Sequence, residues 1–264
     1  MPNKETKHSY SIQSVDNALD VLEALCTEGE EVRVSHLSKR LGMNKMSLFR
    51  YLATFENRGY VEKTKGSGRY RLGQAAYETG QKLLFRNSLL RKAKPAIEKL
   101  ARDCNEAIYL AVPRGNDFLL LDMVDTAQQI KIIPLLGNRY PMQAASAGRV
   151  MLAHDNRHRE ACDSDAMENI RADLAAILTR GCDYDNGGFG EGIASLAVPL
   201  HNGDGDIPGS LCMIAPEFRL TREEAVHKML PQLLAAGDVI SSKLGYIEHL
   251  INTTSLEKEI AFEA

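Results

Sequence analysis

Tryptophan is absent from the 264 residues and aromatics make up only 6% of them, within a composition (44% hydrophobic, 25% charged) that is ordinary for a soluble protein. No run approaches the ~20 apolar residues that cross a bilayer. The opening residues, MPNKETKHSYS, hold no apolar signal-peptide core. Cysteine is scarce too. Cys26, Cys104, Cys162, Cys182 and Cys212 are odd in number and scattered, without a CxxC pair, which favours reduced thiols in a cytoplasm over a disulfide framework. Catalytic signatures are missing: there is no GxSxG, no Walker loop, no HExxH, and no GxGxxG between a strand and a helix. The glycines of DNGGFGEG precede a strand, the wrong order for a nucleotide cradle, and nothing singles out one cysteine for activation. Neither catalysis nor a cofactor is expected, and the length suits two modest domains.

What is present is a lopsided charge. The net charge is −3, yet His36 to Leu72 carries nine Lys and Arg against two acidic residues, Glu56 and Glu62. From Gly73 onward there are twenty basic and twenty-six acidic residues. A basic stripe on an acidic body suits a phosphate-binding module joined to something else.

The stripe coincides with a pattern. In SHLSKRLGMNKMSLFRYLATFENRGY, residues 35–60, Leu37, Leu41, Leu48, Leu52 and Phe55 recur at the spacing of one buried helical face. Gly42 suits the turn between two short helices, and Asn44 suits the N-cap of the second. Lys45, Ser47 and Arg50 then remain on the outer side of that helix, where a recognition helix meets the major groove. Before it, Ser14 is expected to cap a helix with Val15, Ala18, Leu19, Leu22 and Leu25 on one face, and Ser35 to cap the next. After it, Tyr60-Val61 and Tyr70-Arg71-Leu72 read as a hairpin with its tip at Lys65-Gly66-Ser67-Gly68. Three helices and a basic hairpin make a winged helix-turn-helix.

Further along, residues 74–85 suggest a linking helix and Leu89 to Cys104 a long amphipathic one, kinked or restarted at Pro95. AIYLAV, DFLLLDMV and QIKIIPLL read as three strands of a largely buried sheet. GNRYPMQAASAGRVMLA reads as a loop running into a helix near Ser146, and residues 155–180 as mostly helical. GCDYDNGGFGEG reads as a glycine-rich loop, IASLAVPL and SLCMIA as two more strands, and Thr221 as the cap of a helix to about Leu244. Residues 1–11 are expected to be polar and disordered, and the last twenty to be a polar tail or an extension of the last helix. His154, His158 and Cys162, spaced i, i+4, i+8, would share one helical face and could hold a metal, but their charged surroundings favour a solvated helix, and no metal site is assigned.

SVDNALDVLEAL, VSHLSKRLGMNKMSLFRYLATFENRGYVEK and GRYRLG together resemble the N-terminal domain of the IclR family of bacterial transcription regulators. GNRYPMQAASAGRVMLA, RGCDYDN…GEGIASLAVPL and RLTREEA…AAGDVISSKLG resemble its second half, so the likeness covers roughly residues 11–246 in order. The resemblance implies an α+β two-domain fold: a winged helix-turn-helix (11–73), a linker helix (74–87), a GAF-like α/β effector-binding domain (88–246) and a C-terminal tail (247–264). It implies repressors or activators that bind double-stranded, palindromic operator DNA as homodimers or homotetramers, away from membranes, and answer to a small organic acid.

On that resemblance the DNA-contacting positions are Lys45, Met46, Ser47, Phe49 and Arg50 in the helix, with Lys63, Lys65, Arg69 and Arg71 in the wing. Arg50 could bridge a guanine edge, clamp a phosphate or pair with Glu56. Family members commonly have Ser at Met46 and His at Phe49, so this chain is expected to bind DNA still but to prefer a different operator sequence; Met46 could pack on a thymine methyl. The matching effector-pocket positions are Tyr140, Ser146, Ala147, Asp185, Ile193, Ser195, Cys212 and Ile214. Asp185 could accept a hydrogen bond from a ligand hydroxyl or protonated carboxyl. Ile193 and Ile214 read equally well as sheet core, and Ser195 and Cys212 as ordinary small packing residues.

Overall fold

Helices α1 (Gln13–Thr27), α2 (Val34–Leu41) and α3 (Lys45–Asn57), strands β1 (Val61–Lys63) and β2 (Tyr70–Leu72), and helix α4 (Gln74–Arg86) build the first of two units, Met1–Arg86. The computed structural model describes residues 11–157 and 164–246. Gly42 closes α2 at φ 64°, the left-handed conformation that a Cβ opposes, and the chain turns there into α3. Asn44 caps α3, its side chain accepting the Ser47 amide at 2.8 Å. Leu37, Leu48 and Leu52 are fully buried against Val21, Val61 and Tyr70, and Leu41 and Phe55 pack at the edge of the same cluster. Each buried leucine contributes about 1.5–3 kcal/mol by leaving water. The hairpin is antiparallel, with Val61 opposite Leu72 and Lys63 opposite Tyr70, and Gly66 and Gly68 take positive φ at its tip.

Two expected caps are displaced. α1 starts at Gln13 with Ile12 in the cap position and α2 at Val34 with Arg33, so Ser14 and Ser35 lie inside first turns. The buried stripe of α1 shifts as well: Val21, Ala24 and Leu25 face the core while Val15 and Leu19 are exposed. Both stripes have helical spacing, and only packing against α2 and α3 chooses between them.

The second unit, Asn87–Ala264, opens with α5 (Ser88–Cys104). Asn87 caps it, accepting the Leu90 amide at 3.0 Å, and Asn105 ends it at φ 52°. Pro95 neither breaks nor restarts this helix, because Ala93 on one side and Ile97 and Leu100 on the other anchor it in the core. Then come β3 (Ala107–Arg114), β4 (Asp117–Val124), β5 (Arg139–Pro141), α6 (Ser146–His154), α7 (Ser164–Arg180), β6 (Asp183–Asn186), β7 (Ile193–Leu200) and β8 (Gly209–Pro216). Thr221 caps a last helical run of α8 (Arg222–Glu224), a π-helical turn over Ala225–Met229, and α9 (Leu230–Lys243).

All the pairings are antiparallel, in the order β5-β4-β3-β8-β7-β6. The sheet's two halves are thus contiguous in sequence and meet at β3–β8, with Tyr109 opposite Cys212. Alternation sends Ile108, Leu110, Leu196 and Met213 into a core with α5 and α9. It sends Tyr109, Ala111, Cys212 and Ile214 into a second core with α6 and α7. Cover on both faces accounts for the near-continuous apolar runs.

Three expectations change here. QIKIIPLL is not a strand but part of an irregular strap between β4 and β5. Its Ile132 and Leu135 pack inward while Ile130 and Ile133 are exposed, and Pro134 has no amide to donate. The edge of β4 is taken instead by short β5, read from sequence as loop, which pairs Tyr140 with Phe118. The first part of GCDYDNGGFGEG is strand β6, because Asp183 and Asp185 both point inward to polar partners. Residues 1–10, His158, Cys162 and the tail 247–264 lie outside the described residues. Among the described residues no helix is long and apolar enough to cross a membrane.

Candidate DNA-binding surface and effector site

On α3, the core takes Leu48 and Leu52, so Lys45, Met46, Phe49 and Arg50 are exposed and Ser47 is half-buried. Met46 is 75% exposed, free of the packing that a side chain of its size ordinarily seeks. Phe49 is different, its ring standing edge-on to that of buried Tyr70 at 6.4 Å. In the wing, Arg71 donates to Glu62 across the hairpin at 2.9 and 3.1 Å, and Arg69 lies 4.0 Å from Glu31. These exposed pairs are worth little. Glu28 joins the other described ion pairs of this unit, to Arg40 and His36, so Lys45, Arg50, Lys63 and Lys65 form none among the described residues. Glu56, the carboxylate weighed as a partner for Arg50, is not bonded to it.

The second site gathers around the start of α6. Gly148 lets α6 press on the preceding loop, since a Cβ there would lie 2.0 Å from the Met142 carbonyl oxygen. Ser146 is thereby buried at the head of the helix, where the first amides have no intrahelical partner. Its hydroxyl lies 2.6 Å from that of Ser195 on β7, which donates to Asp185 on β6 at 2.7 Å. Asp185 also accepts the Gly188 amide at 2.9 Å, and Cys212 Sγ lies 3.9 Å from Ser146 Oγ. Register explains the row: Asp185 pairs with Ser195, and Ser195 with Ile214. Burial pushes the Cys212 thiol well above its ordinary range, so it is a neutral, weak partner.

A second contact pins the same helix. Arg149, one turn after Ser146, donates to Asp183 at 2.7 Å. Burial raises the Asp183 carboxyl above its usual range, with Arg149 pulling the other way.

The structure therefore brings Ser146, Ala147, Asp185, Ser195, Cys212 and Ile214 together. Tyr140 and Ile193 lie at the margin of the same cluster. Ile193 and Ile214 sit in apolar packing, as the plain core reading has it. Sequence reasoning missed an aromatic wall. Phe118 stacks on Tyr140 with centroids 5.7 Å apart, and Phe189 stands edge-on to both at 6.0 and 5.0 Å. The signal for Phe189 was available, an apolar ring set among glycines in GGFG; Phe118 looks like any strand residue. His154 contacts the Val150 carbonyl oxygen and the ring of His201.

Comparisons with known proteins match this architecture. The IclR helix-turn-helix domain model matches residues 14–65, and the model for the bacterial transcriptional regulator IclR C-terminal region matches residues 81–242. The HTH-type transcriptional regulator KdgR of Escherichia coli (strain K12) is 26% identical over 256 residues, covering 92% of this chain and 97% of that protein. The glycerol operon regulatory protein of Streptomyces coelicolor is 28% identical over 240 residues, covering 86% and 92%. Among solved structures, an IclR transcriptional regulator from Alicyclobacillus acidocaldarius superposes with a TM-score of 0.77 at 22% identity, covering 89% of this chain and all of that one. An IclR homolog from Microbacterium hydrocarbonoxydans, solved in complex with 4-hydroxybenzoate, gives 0.75 at 22% identity, covering 88% and 98%. Matched in both halves and in order, the chain belongs to the IclR family of bacterial DNA-binding transcriptional regulators.

Proposed function

We propose that this regulator binds operator DNA through α3 and the wing, and that a small organic acid bearing a hydroxyl group controls it from the row Ser146–Ser195–Asp185. The observation that carries the effector reading is that row itself: a carboxylate and two hydroxyls buried in an apolar core beside three aromatic rings. Such a network is costly to bury without a role, and it offers a carboxylate to a ligand hydroxyl and a helix start to a ligand carboxylate. The aromatic wall suits a ring or a compact carbon skeleton. A protein of this fold was solved with 4-hydroxybenzoate, a molecule that combines these features.

Lys45, Met46, Ser47 and Arg50 contact the major groove in this reading, and Lys63, Lys65, Arg69 and Arg71 hold backbone. Met46 contributes apolar contact, as to a thymine methyl. The exposed Val15 and Leu19 of α1 suit a second copy of the chain in a homodimer or homotetramer. The test has two parts. Gel-shift titrations against DNA upstream of the gene and its neighbours, with and without candidate acids, measure operator binding and its direction of control. Isothermal titration against hydroxy, keto and aromatic acids measures the effector; a panel with no binder counts against an acid.

A further inference from the structure

Lys63 stands in the angle between two perpendicular rings. Its Nζ lies 5.9 Å from the centroid of Phe49 and 5.9 Å from that of Tyr70, whose planes meet at 87°. Tyr70 is a fixed platform: it is 2% exposed, and its amide and carbonyl both pair with Val32 at 2.8 Å. It is also the cross-strand partner of Lys63 in the hairpin. Phe49 comes from α3. One wing ammonium is therefore located by the recognition helix and the wing together.

The other wing cations are held differently. Arg71 and Arg69 share their charge with Glu62 and Glu31, and Lys65 stands at the tip. Ring faces attract an ammonium without consuming its N–H groups, so Lys63 is both ordered and free to donate. A cation in that state suits a phosphate rather than a base edge.

We infer that Phe49 is a positioning residue and not a base reader: with Tyr70 it fixes the Lys63 ammonium beside α3 as a contact for a DNA backbone phosphate. The inference rests on the DNA-binding reading above. It divides the two large apolar residues exposed on α3, leaving Met46 to the groove and tying Phe49 to the wing.

The test is the salt dependence of binding of the full chain to a short duplex of arbitrary sequence, where base reading plays no part. Lys63→Ala should weaken binding and reduce the steepness of log K against log salt by about one for each copy of the chain that contacts the duplex. Phe49→Leu, which keeps apolar bulk and removes the ring face, should weaken binding about two- to five-fold. Phe49→Tyr should restore it. Phe49→Leu combined with Lys63→Ala should bind no worse than Lys63→Ala alone. Losses that simply add, or an effect of Phe49→Leu confined to the specific operator, overturn the inference while leaving DNA binding intact. A wild-type chain that binds no duplex overturns both. Unchanged thermal unfolding of Phe49→Leu separates positioning from loss of fold.

Discussion

Ser195 joins Ser146 to Asp185: its hydroxyl donates to the carboxylate at 2.7 Å and lies 2.6 Å from the hydroxyl at the head of α6. A strand side chain thus bonds a helix to a neighbouring strand through buried groups. Ser195→Ala would leave Asp185 with the Gly188 amide and strip one partner from Ser146. The expected cost is about 1–3 kcal/mol of stability, read from denaturant unfolding of the full chain. A change within error would mean that the two partners find each other, or water, without it.

Asp185→Asn tests the ligand role apart from the fold. The amide has nearly the same volume, and its one oxygen can keep the Gly188 amide. Its NH2 replaces the oxygen that accepts from Ser195, whose hydroxyl must turn to accept from it and donate to Ser146. The fold should therefore persist with a loss of about 1 kcal/mol. Binding of a hydroxy acid found by titration should weaken by about 1.5–3 kcal/mol, the weight of a hydrogen bond to a charged group. Equal affinity in the variant would remove Asp185 from the site.

Gly148→Ala should be severe. The added Cβ would lie 2.0 Å from the Met142 carbonyl oxygen, a backbone atom with little room to move. We expect a loss of about 3 kcal/mol or more and displacement of Ser146, seen as early thermal unfolding and loss of any acid binding.

Arg50→Ala should cost about 1–3 kcal/mol at the operator if the guanidinium bridges a base. The same substitution should then relax preference at one operator position, whereas a phosphate role would weaken all sequences alike and lower the salt slope. Gel shifts on single-base operator variants tell the two apart.

Acid should act on the first unit through Glu28. The hydrogen bond from Arg40, with help from His36 and against partial burial, holds its carboxyl below the usual range. A carboxylate with a lowered folded value stabilises above its unfolded pKa, and that contribution fades as pH falls through the folded one. Thermal unfolding midpoints of the wild type should therefore drop more steeply on acidification than those of Glu28→Gln. Parallel curves for the two proteins would contradict this.

Much of the first unit was legible because its signals are local. Gly42 needs a left-handed turn, Asn44 needs an amide to cap, and Leu37, Leu48 and Leu52 repeat at helical spacing. The errors arose where the deciding contact is remote. Val15 and Leu19 have the same spacing as Val21 and Leu25, and only α2 and α3 distinguish inside from outside. QIKIIPLL has strand composition, yet the sheet edge that it needed belongs to Tyr140 and its neighbours. In β6, Asp183 and Asp185 looked like loop residues because the partners that make them tolerable, Arg149 and Ser195, lie elsewhere in the chain. The aromatic wall was hidden for the same reason, its three rings coming from β4, β5 and the loop after β6.

The seam between β3 and β8 sets an order of events. Tyr140 and Ser146 belong to the part of the chain made before the seam can close, Asp185, Ser195 and Cys212 to the part made as it closes. Bringing β8 to β3 means closing a loop of roughly a hundred residues, a slow step compared with pairing hairpin neighbours. The first unit, with its short-range contacts, leaves the ribosome whole long before that. During synthesis the helix-turn-helix unit is complete while the second unit is still half a sheet, and a chain cut short of β8 would keep the first and leave β3 without its partner.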